Sequence, residues 1–236
     1  MSSQTSRRTI AIELSTMRSG STLLKALMSA APDISSLPEH NFQKYQSDDA
    51  AQRIHQLCDE RIIVLKKPAW FNEPKRYPLL PKVADAKRLI LTRDVHTNVA
   101  SLRKMAFRKA EPWIPRYFDN WLAAKYWAPV YSNLLDRFPE DSISNFWLRY
   151  EDLCKDPIRW TEKIFKFLGS ERIEGTDSYP PPKNYQWKWG TDDGSENIKT
   201  LKVQPPKKSP ETAGILSRVE SLPCVARTRQ ALGYHR

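Results

Sequence analysis

Residues Thr9 to Ala31, TIAIELSTMRSGSTLLKALMSAA, constrain the fold more than any other stretch. Thr9 to Leu14 is short, apolar and rich in β-branched residues, the composition of a central strand. Leu23, Leu24, Leu27 and Met28 fall on one face of a helix. Between them lies the tight polar loop Arg18-Ser19-Gly20-Ser21-Thr22. A glycine among small hydroxylated residues lets successive N–H groups turn toward one concavity, and the helix N-terminus adds partial positive charge. Such a loop suits an anion, most often a phosphate, and Arg18 adds a fixed charge with a fork of donors. The plainer alternative is a strand-to-helix turn with Ser21 as its N-cap.

The remaining chain repeats the pattern. Strands are expected at Arg61 to Leu65, Arg88 to Thr92 and Ile143 to Leu148. Helices are expected over Asp48 to Glu60, Thr97 to Lys109, Asp156 to Leu168, Pro210 to Val219 and Pro223 to Leu232. A long aromatic helix is expected over Arg116 to Phe138, with Pro129 as a kink. Asp156 reads as a cap, Pro157 as the first helical residue and Gly169 as the stop. Alternating strands and helices indicate an α/β/α sandwich of three layers around a mostly parallel sheet, similar to P-loop nucleotide-binding folds. Ligands bind beyond the C-terminal ends of such strands, where Lys66-Lys67, Arg93 and Arg149 cluster. Residues 170–208 break the periodicity, being rich in Pro, Gly, Lys and Trp. They are expected to fold over the site within a single domain spanning residues 1–236.

Composition narrows the partners without selecting one. The 236 residues carry 38 Lys and Arg against 27 Asp and Glu, a net charge of +11 that favours anions. Three separated cysteines, Cys58, Cys154 and Cys224, support neither a disulfide framework nor a zinc site and fit a reducing compartment. No stretch approaches the roughly 20 apolar residues that span a bilayer, so a cytoplasmic location is expected.

The first loop differs from a nucleotide-triphosphate P-loop, which requires Lys followed by Ser or Thr. Here Gly20 is followed by Ser21-Thr22, and Arg18 precedes it. The apolar strands end in Lys66, Arg93 and Arg149 rather than in a magnesium-holding carboxylate. A second motif, LTRDVHTNVAS, places Arg93 at a strand end and Ser101 two turns into the next helix, a spacing that lets both share a ligand.

Taken in order, RSGST, LTRDVHTNVAS, LRYEDL followed by KDP, and LGY resemble the sulfotransferases that use 3′-phosphoadenosine 5′-phosphosulfate (PAPS). The resemblance implies that Arg18, Ser19, Gly20, Ser21, Thr22 and Leu23 hold the 5′-phosphosulfate, and that Arg93 and Ser101 hold the 3′-phosphate. Lys66-Lys67-Pro68-Ala69-Trp70-Phe71 resembles a heparan sulfate sulfotransferase segment whose first lysine lies at the reacting sulfonate. Glu39 stands where several carbohydrate-type members carry a catalytic glutamate; in that assignment it takes the acceptor's proton, while Lys66 and Arg18 meet the charge that develops on the leaving phosphate. Metal-independent transfer to a hydroxyl or amine is implied, releasing 3′-phosphoadenosine 5′-phosphate (PAP).

Alternatives remain at several positions. His40 adjoins Glu39 and has the ordinary pKa better suited to a base, while the family position favours Glu39. Lys67 competes with Lys66, since strand neighbours point to opposite sides. The Arg-Lys-Gly-x-x-Gly-x-x-Lys motif of cytosolic small-molecule sulfotransferases is missing, and Lys188 and Lys199 are the candidates to close over the nucleotide, with Trp187 and Trp189 available for adenine stacking. Tyr150 and Asp152 read as sheet-edge residues. Trp113, Tyr117, Trp121, Tyr126 and Trp127 divide between an acceptor pocket and core. The acceptor is a small molecule, lipid or sugar, and nucleic acid is not expected as a partner. A nucleotide or nucleoside kinase and a non-catalytic basic polyanion-binding module are the competing functions.

Overall fold

The computed structural model describes residues 8–35, 37–73, 77, 79–106, 115–183, 196–205 and 210–234. Strands β1 (Thr9–Ser15), β2 (Ile62–Lys66), β3 (Lys87–Thr92) and β4 (Asn145–Arg149) form one parallel sheet in the order β2-β1-β3-β4. The chain leaves β1 for β2 on one side and crosses back to β3 on the other. The C-terminal end of β1 is therefore the switch point at which ligands bind in such sheets.

Alternation along β1 divides the core. Ile10, Ile12 and Leu14 join a cluster with Tyr126, Trp127, Tyr131 and Leu134, while Ala11 joins Leu24, Leu27, Met28 and Phe165 on the opposite face. Each fully buried aliphatic side chain contributes about 1.5–3 kcal/mol, so the sheet is held firmly from both sides. Helices α1 (Ser21–Met28) and α7 (Pro157–Leu168) pack on the second face.

Several ends fall where local chemistry places them. The Asp156 carboxylate accepts from the Arg159 N–H at 3.2 Å, Pro157 opens α7, and Gly169 closes it with a left-handed φ of 77°. Ser21 is not the cap of α1. That position is held by Gly20, with φ 99° and no side-chain capping bond, and Ser21 is the first helical residue. The helix expected from Asp48 reduces to α2 (Ala50–His55), and the next begins slightly early as α3 (Val95–Ala106).

The long aromatic helix is interrupted before its proline. It runs as α4 (Pro115–Trp121), a π-helical segment at Leu122–Trp127, and α5 (Ala128–Arg137). Pro129 has no N–H and crowds the preceding turn, and the chain widens there instead of bending at the proline. The segment after β4 forms α6 (Tyr150–Lys155), and the chain continues through α8 (Glu196–Lys199), α9 (Pro210–Val219) and α10 (Pro223–Ala231).

Two buried ion clusters dock these last helices. Asp119 on α4 accepts from Arg103 of α3 at 3.2 Å and Arg218 of α9 at 2.6 Å. Asp94 receives a two-pronged contact from Arg229 of α10, each oxygen at 3.0 Å. Burial alone would raise Asp94, but hydrogen bonds from His96 and Arg229 outweigh it and hold the carboxyl below its usual range. The LGY phrase is structural: Arg149 donates to the Gly233 carbonyl at 2.9 Å, and Tyr234 donates to Glu151 at 3.1 Å.

Candidate active site

The loop after β1 rests on three buried tyrosines. The Met17 N–H donates to the Tyr126 hydroxyl at 2.7 Å, which donates onward to the Ala69 carbonyl at 2.6 Å. Ser15 N–H meets Tyr77 at 3.0 Å, and Tyr131 lies 3.0 Å from the Thr16 hydroxyl. Burial raises all three phenols, so they remain neutral. Asn98 adds a bond to the Met17 carbonyl at 3.0 Å. The floor is thus fixed before any ligand arrives, as a precise binding loop requires.

Above this floor the backbone takes a left-handed conformation twice, on either side of Ser19. Arg18 has φ 62°, a left-handed conformation rare outside glycine, and Gly20 has φ 99°. A Cβ on Gly20 would lie 2.3 Å from the Tyr150 ring, so only glycine fits. The first bond of α1 runs from Leu24 N–H to the Gly20 carbonyl at 3.0 Å, leaving the N–H groups of Ser21, Thr22 and Leu23 outside the helix ladder. The Ser19 hydroxyl is buried without a hydrogen-bond partner among the described residues. N–H groups gathered around a glycine turn at a helix N-terminus match an anionic group.

The two sequence motifs interlock. The Arg93 guanidinium donates to the Arg18 carbonyl at 2.9 Å and to Thr97 at 3.1 Å, and lies 4.4 Å from the centre of the Tyr150 ring. The Arg18 side chain donates to Ser101 at 3.1 Å. Arg18 and Ser101, assigned to opposite ends of a nucleotide, are hydrogen-bonded neighbours here. Tyr150 is sandwiched between Gly20 and Arg93, a platform for the loop more than a sheet-edge residue. Its signal in the sequence was its place at a strand end, shared with Lys66 and Arg93. Asp152 does serve the edge, accepting from Arg149 at 2.7 Å.

On the other flank, Lys66 is 1% exposed and donates to the Thr22 hydroxyl at 2.8 Å. Its ammonium also lies 3.1 Å from a Glu39 oxygen. Lys67 points away and pairs with Glu73 at 2.8 Å, which separates the two lysines by the alternation of the strand. The His40 backbone N–H donates to the Lys66 carbonyl at 3.0 Å, but its ring turns toward Tyr45, 3.3 Å from that hydroxyl. Burial, with Lys25 and Lys44, lowers its pKa and keeps the imidazole neutral.

Other candidates divide clearly. Tyr126 and Trp127 are core, and the Trp127 N–H donates to the Arg93 carbonyl at 2.9 Å. Trp121 and Tyr117 are exposed. Phe71 bridges surface and floor, with ring centres 6.3 Å from Trp121 and 4.9 Å from Tyr126. Lys199 is exposed on α8, while its neighbour Ile198 packs into the α1 side of the core. Trp113, Trp187, Lys188 and Trp189 lie outside the described residues. Glu13 and Lys25, both fully buried beside Lys66, were not singled out in the sequence. A lone acid in an apolar strand was the available signal.

Residues 79–174 match the model of the sulfotransferase family. The chain is also similar in structure to the sulfotransferase domain of the curacin biosynthetic pathway, at 19% identity and a TM-score of 0.53, covering 90% of this chain and 98% of that one. The sulfotransferase domain of the Synechococcus PCC 7002 olefin synthase gives 17% identity and a TM-score of 0.60, covering 100% and 98%. Mouse sulfotransferase SULT7A1 complexed with PAP gives 13% and 0.60, covering 95% and 89%. No curated protein sequence matches. The fold is therefore that of the sulfotransferases, a variant of the P-loop nucleotide-binding architecture. The family-model match falls on β3, α3 and β4, within this same fold.

Proposed function

We propose that this protein transfers a sulfonate group from PAPS to a hydroxyl or amine acceptor. The observation that carries the reading is Lys66, a buried ammonium that touches Thr22 of the anion loop and Glu39 together. One cation thus joins the donor-binding element to a carboxylate able to take a proton. The PAP held by the mouse relative supports the same donor.

In this reading the first N–H groups of α1, at Ser21, Thr22 and Leu23, with Ser19 and Gly20, receive the phosphosulfate. Arg93, Ser101 and Arg18 receive the 3′-phosphate end, with Lys188 and Lys199 as candidates to close over it. Glu39 takes the proton of the acceptor as its oxygen or nitrogen bonds to sulfur. The sulfur–oxygen bond to the donor phosphate breaks, and Lys66 meets the charge left on that phosphate. His40 shapes the loop that carries Glu39.

Among the described residues no group of three or more His, Cys, Asp or Glu side chains is placed to hold a metal, and no helix is long and apolar enough to cross a membrane. The three cysteines are free, which supports a cytoplasmic setting. We read residues 1–236 as one domain, with 170–208 serving the nucleotide side. The acceptor is a small molecule, lipid or sugar.

The test is protection against heat. PAP is expected to raise the melting temperature more than ATP with magnesium does. Better protection by ATP would favour a kinase, and no protection by either would favour a polyanion-binding module; both results overturn the proposal.

A further inference from the structure

Strand β1 carries one residue foreign to a central strand. Glu13 lies between β2 and β3, opposite Lys66 and Leu89 in the register. It is fully buried, and among the described residues neither carboxylate oxygen has a partner at hydrogen-bond geometry, the Ser15 hydroxyl being the polar group that acts on it from its own strand. A well-packed apolar side chain would be less costly there, so the acid asks for a function.

Its neighbours supply one. Lys66, beside it in the register on β2, attracts its charge, as does Lys25 of α1, whose ammonium donates to the Leu37 carbonyl at 2.5 Å. Glu39 adds like charge from the loop before the 3-10 turn at Phe42–Tyr45. Tyr77 and Tyr131 feel the Glu13 charge as well, although burial is the larger reason that both phenols stay neutral. Acid and base thus alternate beneath the loop: Lys25, Glu13, Lys66, Glu39.

We propose that Glu13 is a switchable counter-charge to Lys66, ionised while the site holds no anion and protonated when the donor's phosphosulfate reaches Lys66, so that donor binding draws one proton from solvent. This rests on the reading of Lys66 as a donor-binding cation. Burial pushes Glu13 up to about 7 despite the attraction of Lys66, which puts its titration in the neutral range. An anion brought to Lys66 repels the carboxylate and raises it further. Once Glu13 is neutral, Lys66 loses one of the two carboxylates that compete for its charge and attracts the reacting group more strongly. When PAP departs, the returning carboxylate reclaims Lys66 and favours release. Glu13 is a positioning residue, acting through Lys66 and touching no substrate.

The experiment measures PAP binding to wild type and Glu13→Gln through the neutral and mildly alkaline range, by calorimetry in two buffers of different ionisation heat. Titration of the PAP phosphates is common to both proteins and cancels in the ratio of affinities. That ratio, wild type over variant, is expected to fall by up to about tenfold per pH unit above the Glu13 value, the limit for one linked proton. Wild type is also expected to take up more protons than the variant. Matching pH profiles and proton counts overturn the proposal. A second measurement is independent of that variant: the infrared difference spectrum on adding PAP to Glu39→Gln protein should gain a protonated-carboxyl band. Its absence overturns the role of Glu13. Failure of PAP to bind wild type at any pH overturns the donor reading and this inference together, whereas binding with matching profiles removes only the inference.

Discussion

The two flanks of the loop after β1 are built on different principles. On the Arg93 flank, hydrogen bonds set the positions: Arg93 holds the Arg18 carbonyl and Thr97, Arg18 holds Ser101, and the Tyr150 ring supports Gly20 and Arg93 alike. On the Lys66 flank, buried Glu13, Lys25 and Lys66 and half-buried Glu39 bring four charges of alternating sign together. The first arrangement fixes shape, and the second keeps charge ready to move. A binding subsite needs the former because misplacement loses affinity; a reacting centre needs the latter because its charges change during turnover.

Substitutions on the two flanks should therefore fail differently. The largest effect is expected for Glu39→Gln, lowering kcat by about 10²–10⁴ while PAP affinity stays close to wild type. Parallel loss of PAP affinity would merge the flanks into one binding surface. His40→Asn sharpens the point, since the same loss of kcat there would transfer the role of base to the imidazole.

Gly20→Ala attacks the shape-fixing flank. The added methyl overlaps the Tyr150 ring and the left-handed backbone resists it, so thermal protection by PAP should disappear. Recovery in Gly20→Ala with Tyr150→Ala would confirm the ring as the obstacle. Arg93→Ala should weaken PAP binding by about ten- to a hundredfold, the range for losing a charged hydrogen-bonding group, with a much smaller change in kcat at saturating donor.

Asp94→Asn reaches the same flank from behind by releasing α10. Breaking a buried pair costs about 3–5 kcal/mol, visible as a lower melting temperature. Because the folded carboxyl titrates below its unfolded value, near 4, its contribution is present above that pH and lost as pH falls through the folded value. The gap between wild type and Asp94→Asn should therefore close under acid.

The strands, the polar loop and the strand-end cations were legible in the residues because burial, glycine and helix caps act over a few positions. The α7 boundaries show it best, each end being set by one local contact or turn. The widening before Pro129 was less so, because a missing N–H says that the helix is disturbed but not how neighbouring contacts absorb it. Family resemblance brought Glu39 and Lys66 to notice, and only the fold placed them 3.1 Å apart.

What the sequence determined by itself was the parallel α/β architecture and the position of a polar glycine loop at the end of β1. The tertiary structure decided how that loop is held. It joined Arg18 to Ser101, chose Lys66 over Lys67, set Tyr150 against a glycine 130 residues earlier in the chain, and buried Glu13 among lysines. The physical reason is range: periodicity and turn preference are properties of adjacent residues, whereas packing and electrostatics depend on which distant residues the fold brings together.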